Sequence, residues 1–137
     1  ESCTGGLLAA RLTSVSGSSD VVVGGVVAYA NEVKIRQLGV SATLIERAGA
    51  VSEEVAREMA SGVRSLMGAG IGVAITGVAG PTGGTADKPV GLVWIAVDFG
   101  ERSAVYGGRF SGDRAEVRYR ATQAALNMIR RGLMATD

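Results

Sequence analysis

GLVWIAVDFGERSAVYGGRF, residues 91–110, is the stretch whose reading decides the fold. Two runs of β-branched and other apolar residues, Gly91–Asp98 and Ser103–Phe110, flank a short polar link that holds Gly100. Paired runs around a glycine turn predict an antiparallel hairpin. Upstream, Ile71–Thr76 (IGVAIT) reads as a short apolar strand that empties into a loop crowded with Gly, Pro and Thr, Gly77–Pro89. Before it, Ser52 opens SEEVAREMASGVRSLMG. That segment has a hydroxyl N-cap, acidic residues in the first turn where the helix dipole favours them, and Val55, Met59, Val63 and Leu66 on one face. Downstream, Asp113 to Leu133 predicts a last helix with Val117, Ala121, Ala124, Ala125, Leu126 and Ile129 inward.

The N-terminal part adds shorter elements. Leu7–Thr13 has helical apolar spacing with Thr4 as its expected N-cap. Val21–Tyr29 (VVVGGVVAY) reads as a buried strand with a bulge or close backbone approach at Gly24 and Gly25. Asn31 is expected to cap a short helix, Glu32–Leu38, ended by Gly39, and Ser41 to start another that stops at Gly49. Strands alternating with helices and closing on a hairpin predict an α/β chain: a three-layer α/β/α domain with a mixed sheet. At 137 residues and 47% hydrophobic content the chain suits one domain, 1–137, and 4% aromatics means a core of Val, Ile, Leu, Ala and Met.

Composition removes several chemistries. The chain has no histidine, so a Ser-His-Asp triad, a Cys-His pair and a histidine metal centre are excluded. A single cysteine leaves no ligand set for structural zinc and no internal disulfide. No metal and no cofactor is expected. A formal charge of +1 with few aromatics argues against nucleic-acid binding and for a small-molecule ligand. No apolar run is long enough to span a bilayer and no signal peptide is visible, so no membrane partner and a cytoplasmic location are expected. An apolar, glycine-broken α/β chain of this size is compatible with a homodimer.

Three stretches carry more polar and glycine content than folding requires: Glu1–Gly6 (ESCTGG), Tyr29–Lys34 (YANEVK) and the loop GVAGPTGGTADKP, 77–89. Loops at the carboxyl edge of an α/β sheet form the ligand crevice, so the three are expected to meet there. Ser2 and Cys3 at the mouth of a helix would sit beside free amides and the positive end of its dipole. Helix capping is the plainer reading of the same residues. A serine nucleophile needs a base, and without imidazole that leaves lysine, tyrosine or a carboxylate. Lys34 is the best candidate, with Tyr29 as relay or orienting group; a core-edge tyrosine and a solvated lysine are the plainer alternatives. The loop lacks a Walker signature, although glycine turns at Gly77, Gly80, Gly83 and Gly84 can expose amides to a phosphate. Arg114 and Arg118 share a helix face and could clamp an anion or pair with Asp113, Glu116 and Asp87; the structural role is preferred for Arg118 and left open for Arg114.

Taken together, ESCTGG, GSS (Gly17–Ser19), YANEVK, GAVSEEVAREMASG, TGVAGPTGG, KPVGLVWIA and FSGDRAEVR resemble the C-terminal domain of the CinA family, in order and over nearly the whole chain. That domain also exists as a stand-alone nicotinamide mononucleotide deamidase. The resemblance implies metal-free hydrolysis of the carboxamide of nicotinamide mononucleotide to nicotinate mononucleotide and ammonia. It implies catalytic roles for Ser2, Ser19, Tyr29 and Lys34, and ligand-binding roles for the glycine loop and Arg114. Thr4, Gly5, Gly6, Asn31, Thr76, Gly77, Gly80, Gly83 and Gly84 complete the expected substrate-binding set. The nucleophile stays open among Ser2, Ser19 and Cys3, as does the seat of the substrate phosphate. Family members usually carry a helix and a strand before ESCTGG, so this chain is expected to lack them, and a fused N-terminal domain is one expected partner. The competing function is a non-catalytic nucleotide-binding regulatory domain; an amidase for some other amide is a third class.

Overall fold

The computed structural model describes residues 1–135. Five helices and three strands follow in the order α1 (Leu7–Thr13), α2 (Asn31–Leu38), α3 (Ala42–Ala48), α4 (Glu53–Met67), β1 (Gly72–Gly77), β2 (Leu92–Asp98), β3 (Ser103–Arg109) and α5 (Arg114–Met134), with a 3₁₀ turn at Ser18–Asp20 between α1 and α2. The sheet order is β1-β2-β3. Both pairings are antiparallel, with Ile75 opposite Ile95 and Ile95 opposite Tyr106. The expected hairpin is therefore present, closed by the Phe99 amide on the Arg102 carbonyl at 2.8 Å, with Gly100 at φ 92°.

Period-two alternation divides the sheet between two helical layers. Ala74 and Ala96 face one way and pack with Val55, Ala56, Met59 and Ala60 of α4, joined by Leu38 and Leu44. Ile75, Val93 and Ile95 face the other way, against Val117, Ala121 and Ala125 of α5 and Leu8 of α1. Each fully buried aliphatic side chain contributes about 1.5–3 kcal/mol, so this double-sided core is the main stabilising term. The three layers match the expectation, but the sheet is wholly antiparallel rather than mixed.

The source of that difference is Val21–Tyr29, which is not a strand. The run forms no regular element, and Val21, Val23 and Val27 are exposed instead of buried. A strand exists only as half of a ladder, and β-propensity expresses packing on neighbours rather than a backbone preference. Among the described residues its rungs are with Glu1, whose nitrogen donates to the Val26 carbonyl at 2.8 Å and whose carbonyl accepts from Ala28 at 2.7 Å. Beyond that point an apolar groove of about 480 Å³ separates the valines from β1, lined by Leu8, Met59, Val63 and Ile71 among others.

Helix ends show further departures. Ser41, Ser52 and Asp113 cap α3, α4 and α5 as expected, Asp113 forming a full capping box with Glu116. Thr4 does not cap α1. The chain turns at Gly6, φ 102°, and the Glu1 carboxylate reaches back to the Leu8 and Ala9 amides at 2.8 and 3.0 Å. Asn31 is the first residue of α2 rather than its cap; Ala30 stands there without a side-chain bond. Leu66 is half-exposed, outside the apolar face assigned to it. Gly62 has a reason to be glycine: a Cβ there would stand 1.9 Å from the Leu38 carbonyl oxygen, so α2 and α4 touch backbone to side.

Candidate active site

The Glu1–Gly6 turn is fastened to β1, because the Ser2 amide donates to the Ile75 carbonyl at 2.9 Å. Ser2, Cys3 and Thr4 are all buried there. From the opposite side α2 inserts Lys34, only 1% exposed although most lysines are solvated. Its Nζ lies 3.1 Å from Ser2 Oγ, 2.8 Å from the Ala28 carbonyl and 3.2 Å from the Tyr29 carbonyl. No carboxylate pairs with it; the two salt bridges among the described residues are Arg57–Glu53 and Arg64–Asp98.

Three acceptors surround the amine: the Ser2 hydroxyl oxygen and the Ala28 and Tyr29 carbonyls. Burial strips water from the charged form and pulls Lys34 below the ordinary lysine range. A neutral amine has two hydrogens and one lone pair. As an ammonium Lys34 donates to all three; in its neutral form, with its two hydrogens on the carbonyls, the lone pair would be left for the Ser2 hydroxyl. A hydroxyl within hydrogen-bond reach of a buried amine is the contact that a serine nucleophile and a lysine base would require.

Cys3, one residue on, is a poor competitor. Burial pushes its thiol up to about 11, so almost no thiolate exists near neutrality. Ser19 does not join the cluster: it is exposed on the 3₁₀ turn, and its side chain makes no hydrogen bond to Ser2, Tyr29 or Lys34.

Tyr29 contributes two separate things. Its carbonyl holds the Lys34 amine, while the residue as a whole is 63% exposed and its hydroxyl meets Arg114 Nη2 at 3.4 Å. Arg114 also donates from Nη1 to the Gly80 carbonyl at 2.8 Å, tying the start of the glycine loop to the Tyr29 side of the site. Of the remaining expected ligand residues, Thr76 is committed to the fold, its hydroxyl donating to the Ala50 carbonyl at 2.9 Å. Gly77 is the last residue of β1, pressed against Leu92 and Val93. Gly83 and Gly84 lie on the exposed part of the loop, Asn31 on the exposed start of α2. None of these five bonds to Ser2 or Lys34.

The amide donors beside Ser2 are fewer than a free helix end would offer, since Glu1 occupies those of Leu8 and Ala9. The Thr4 and Gly6 amides have no acceptor among the described residues. Thr4 Oγ1 is the one buried side-chain polar atom among the described residues without a hydrogen-bond partner. A buried hydroxyl in that state is satisfied by water or a ligand. Arg118, which the sequence pairs with carboxylates, instead donates to the Cys3 and Thr4 carbonyls at 3.2 and 3.0 Å, a contact with no one-dimensional signal.

The fold recurs in solved structures. A competence/damage-inducible protein from Agrobacterium tumefaciens superposes with a TM-score of 0.92 at 42% identity, over 93% of this chain and 79% of that one. One from Klebsiella pneumoniae gives 0.95 at 37%, over 99% and 84%. In sequence, a CinA-like protein of Gemmatimonas aurantiaca is 59% identical over 131 residues, 96% of this chain and 31% of that protein. Another, of Kosmotoga olearia, is 48% identical over 134 residues, 98% of this chain and 32% of that protein. The chain thus spans about a third of the length of these curated relatives. Residues 1–133 match the CinA C-terminal domain, and the chain belongs to that family.

Proposed function

We propose that this domain is an amidohydrolase that converts nicotinamide mononucleotide to nicotinate mononucleotide and ammonia. The observation that carries the reading is the buried Lys34 Nζ, 3.1 Å from Ser2 Oγ, with two carbonyls consuming its hydrogens. The substrate assignment rests on the resemblance of the ordered motifs; the reaction type is also supported by the site itself.

In this mechanism Lys34 takes the Ser2 proton as Oγ bonds to the carboxamide carbon. The carbonyl π pair moves onto oxygen, giving a tetrahedral oxyanion that the Thr4 and Gly6 amides can receive. One such donor contributes about 3–4 kcal/mol in other acyl-transfer enzymes. The intermediate re-forms its carbonyl by breaking the C–N bond, and the leaving nitrogen takes the proton from Lys34 and departs as ammonia. Water, deprotonated by Lys34, then attacks the acyl-serine; the C–Oγ bond breaks and Ser2 recovers its proton. The exposed Tyr29 ring offers a face to the pyridine, and the exposed Arg114 guanidinium a partner for the phosphate. No helix of the described residues is long and apolar enough to cross a membrane. We place the reaction in the cytoplasm.

The test is incubation of the protein with nicotinamide mononucleotide, with ammonia and nicotinate mononucleotide both quantified. Equimolar release, abolished in Lys34→Met, is expected. Calorimetric binding without turnover would replace the reading by a regulatory nucleotide-binding domain. Turnover of other carboxamides but not this one would replace the substrate.

A further inference from the structure

We infer that Arg118 is a positioning residue for the Ser2 turn, holding the amides that face the reacting carbonyl. The kinetic arm of this inference rests on the amidohydrolase reading above; its structural arm does not.

Arg118 projects from α5 and is half-buried, yet among the described residues no carboxylate lies within salt-bridge distance of it. Its hydrogen bonds go instead to two successive backbone carbonyls, Nε to Cys3 and Nη2 to Thr4. A guanidinium presents donors in a rigid planar fork, so binding two neighbouring carbonyls fixes the orientation of both peptide planes. In a trans peptide the carbonyl and the next amide point in opposite directions. Drawing the Cys3 carbonyl toward α5 therefore turns the Thr4 amide away from α5 and keeps it from pairing with Arg118's own helix. That amide has no acceptor among the described residues.

The second contact reaches Ser2 itself. The Thr4 carbonyl belongs to the same peptide as the Gly5 amide, which donates to the Ser2 carbonyl at 3.0 Å. Arg118, the Thr4–Gly5 peptide and Ser2 thus form one hydrogen-bonded chain, and a charged donor at its head polarises the bonds that follow. Gly5 accommodates the arrangement. It has φ 58°, and a Cβ on it would already touch Arg118 Nη2 at 3.4 Å. Nothing in this geometry requires Arg118 to touch substrate. Its effect should appear in the chemical step rather than in substrate affinity.

The experiment compares the full chain with Arg118→Met and Arg118→Lys, measuring turnover of nicotinamide mononucleotide, melting temperature and the rate at which iodoacetamide labels Cys3. Arg118→Met is expected to lose about tenfold or more in kcat, the size of effect of a misplaced oxyanion donor, with KM little changed. The pH at which its rate falls should stay where it is in the parent, because Lys34 is untouched. Low, non-denaturing guanidinium should restore part of the rate. Arg118→Lys, which can reach one carbonyl at a time, should fall between the two. Both variants should label Cys3 faster than the parent while still folded, because the turn opens. A kcat within about twofold of the parent in Arg118→Met overturns the inference, as does a raised KM with kcat intact, which would make Arg118 a substrate-binding group. If the parent releases no ammonia, the amidohydrolase reading is what fails. Positioning is then decided by labelling alone, and unchanged Cys3 labelling in both variants sinks it.

Discussion

Lys34 and Ser2 are separated by 32 positions in the chain and by 3.1 Å between Nζ and Oγ. Each has a distinct task in the proposed reaction, so the two should fail differently. Ser2→Ala removes the nucleophile and should lower turnover about a thousandfold or more. Lys34→Met keeps the nucleophile without its base and should cost about a hundredfold or more. Lys34→Met leaves the Ala28 and Tyr29 carbonyls without this donor, so stability should fall by no more than about 2 kcal/mol. Ammonia release and urea denaturation on the same preparations check both numbers. A fully active Lys34→Met would remove the base from the mechanism.

The pH dependence has a defined sign. Burial holds Lys34 below its ordinary value of about 10.4, and only its neutral form can accept the Ser2 proton. Turnover should therefore rise with pH through the depressed pKa and level off above it. Stability should follow. Between the folded and unfolded pKa values the unfolded chain binds more protons, so unfolding free energy increases as pH rises across that window. Below the folded pKa the cost of burying the ammonium is present in full. Urea midpoints of the parent, compared with Lys34→Met from neutral to alkaline pH, isolate this slope; an equal slope in both would contradict it.

Cys3 should prove dispensable for chemistry. With its thiol at about 11 and 6% exposed, it should react slowly with iodoacetamide in the folded protein and quickly in denaturant. Cys3→Ala should keep most of the turnover and lose about 1 kcal/mol of stability from lost packing. Loss of activity in Cys3→Ala with retained activity in Ser2→Ala would move the nucleophile to sulfur.

Gly62 links the packing of two helices to the site. A Cβ at this position would collide with the Leu38 carbonyl, and α2 would have to move away from α4. The same helix carries Lys34. Gly62→Ala should destabilise by about 1–3 kcal/mol. It should also reduce turnover beyond the fraction unfolded, because Lys34 would retreat from Ser2. Activity per folded molecule, measured well below the melting temperature, separates the two effects.

What could be read in one dimension was whatever local chemistry decides. The 91–110 hairpin, the Ser52 and Asp113 caps and, Leu66 apart, the inward faces of α4 and α5 depend on turn residues and periodicity, and were legible. The meeting of Lys34 with Ser2 was legible for a different reason: a chain without imidazole offers few partners for a reactive hydroxyl, and the two lie in contact. The failures all depend on distant partners. Val21–Tyr29 has strand composition but lacks a ladder beyond Glu1. Thr4 has a capping side chain, but a carboxylate three residues earlier reaches the helix first. Ser19 was expected in the site with Ser2 and Lys34, and the 3₁₀ turn instead leaves its side chain exposed, which says where it sits and not whether it acts. Arg118 satisfies backbone carbonyls more than a hundred positions away, which no spacing rule anticipates.

If the proposed reaction holds, the Glu1 carboxylate on the Leu8 and Ala9 amides bears on how it would be inhibited. The mouth of α1 resembles an anion cradle, yet its leading donors are already neutralised from within. An inhibitor that places an acid there would meet like charge instead of open amides. A better scaffold would present an uncharged electrophilic carbonyl to Ser2 and carry its acidic group outward, toward Arg114.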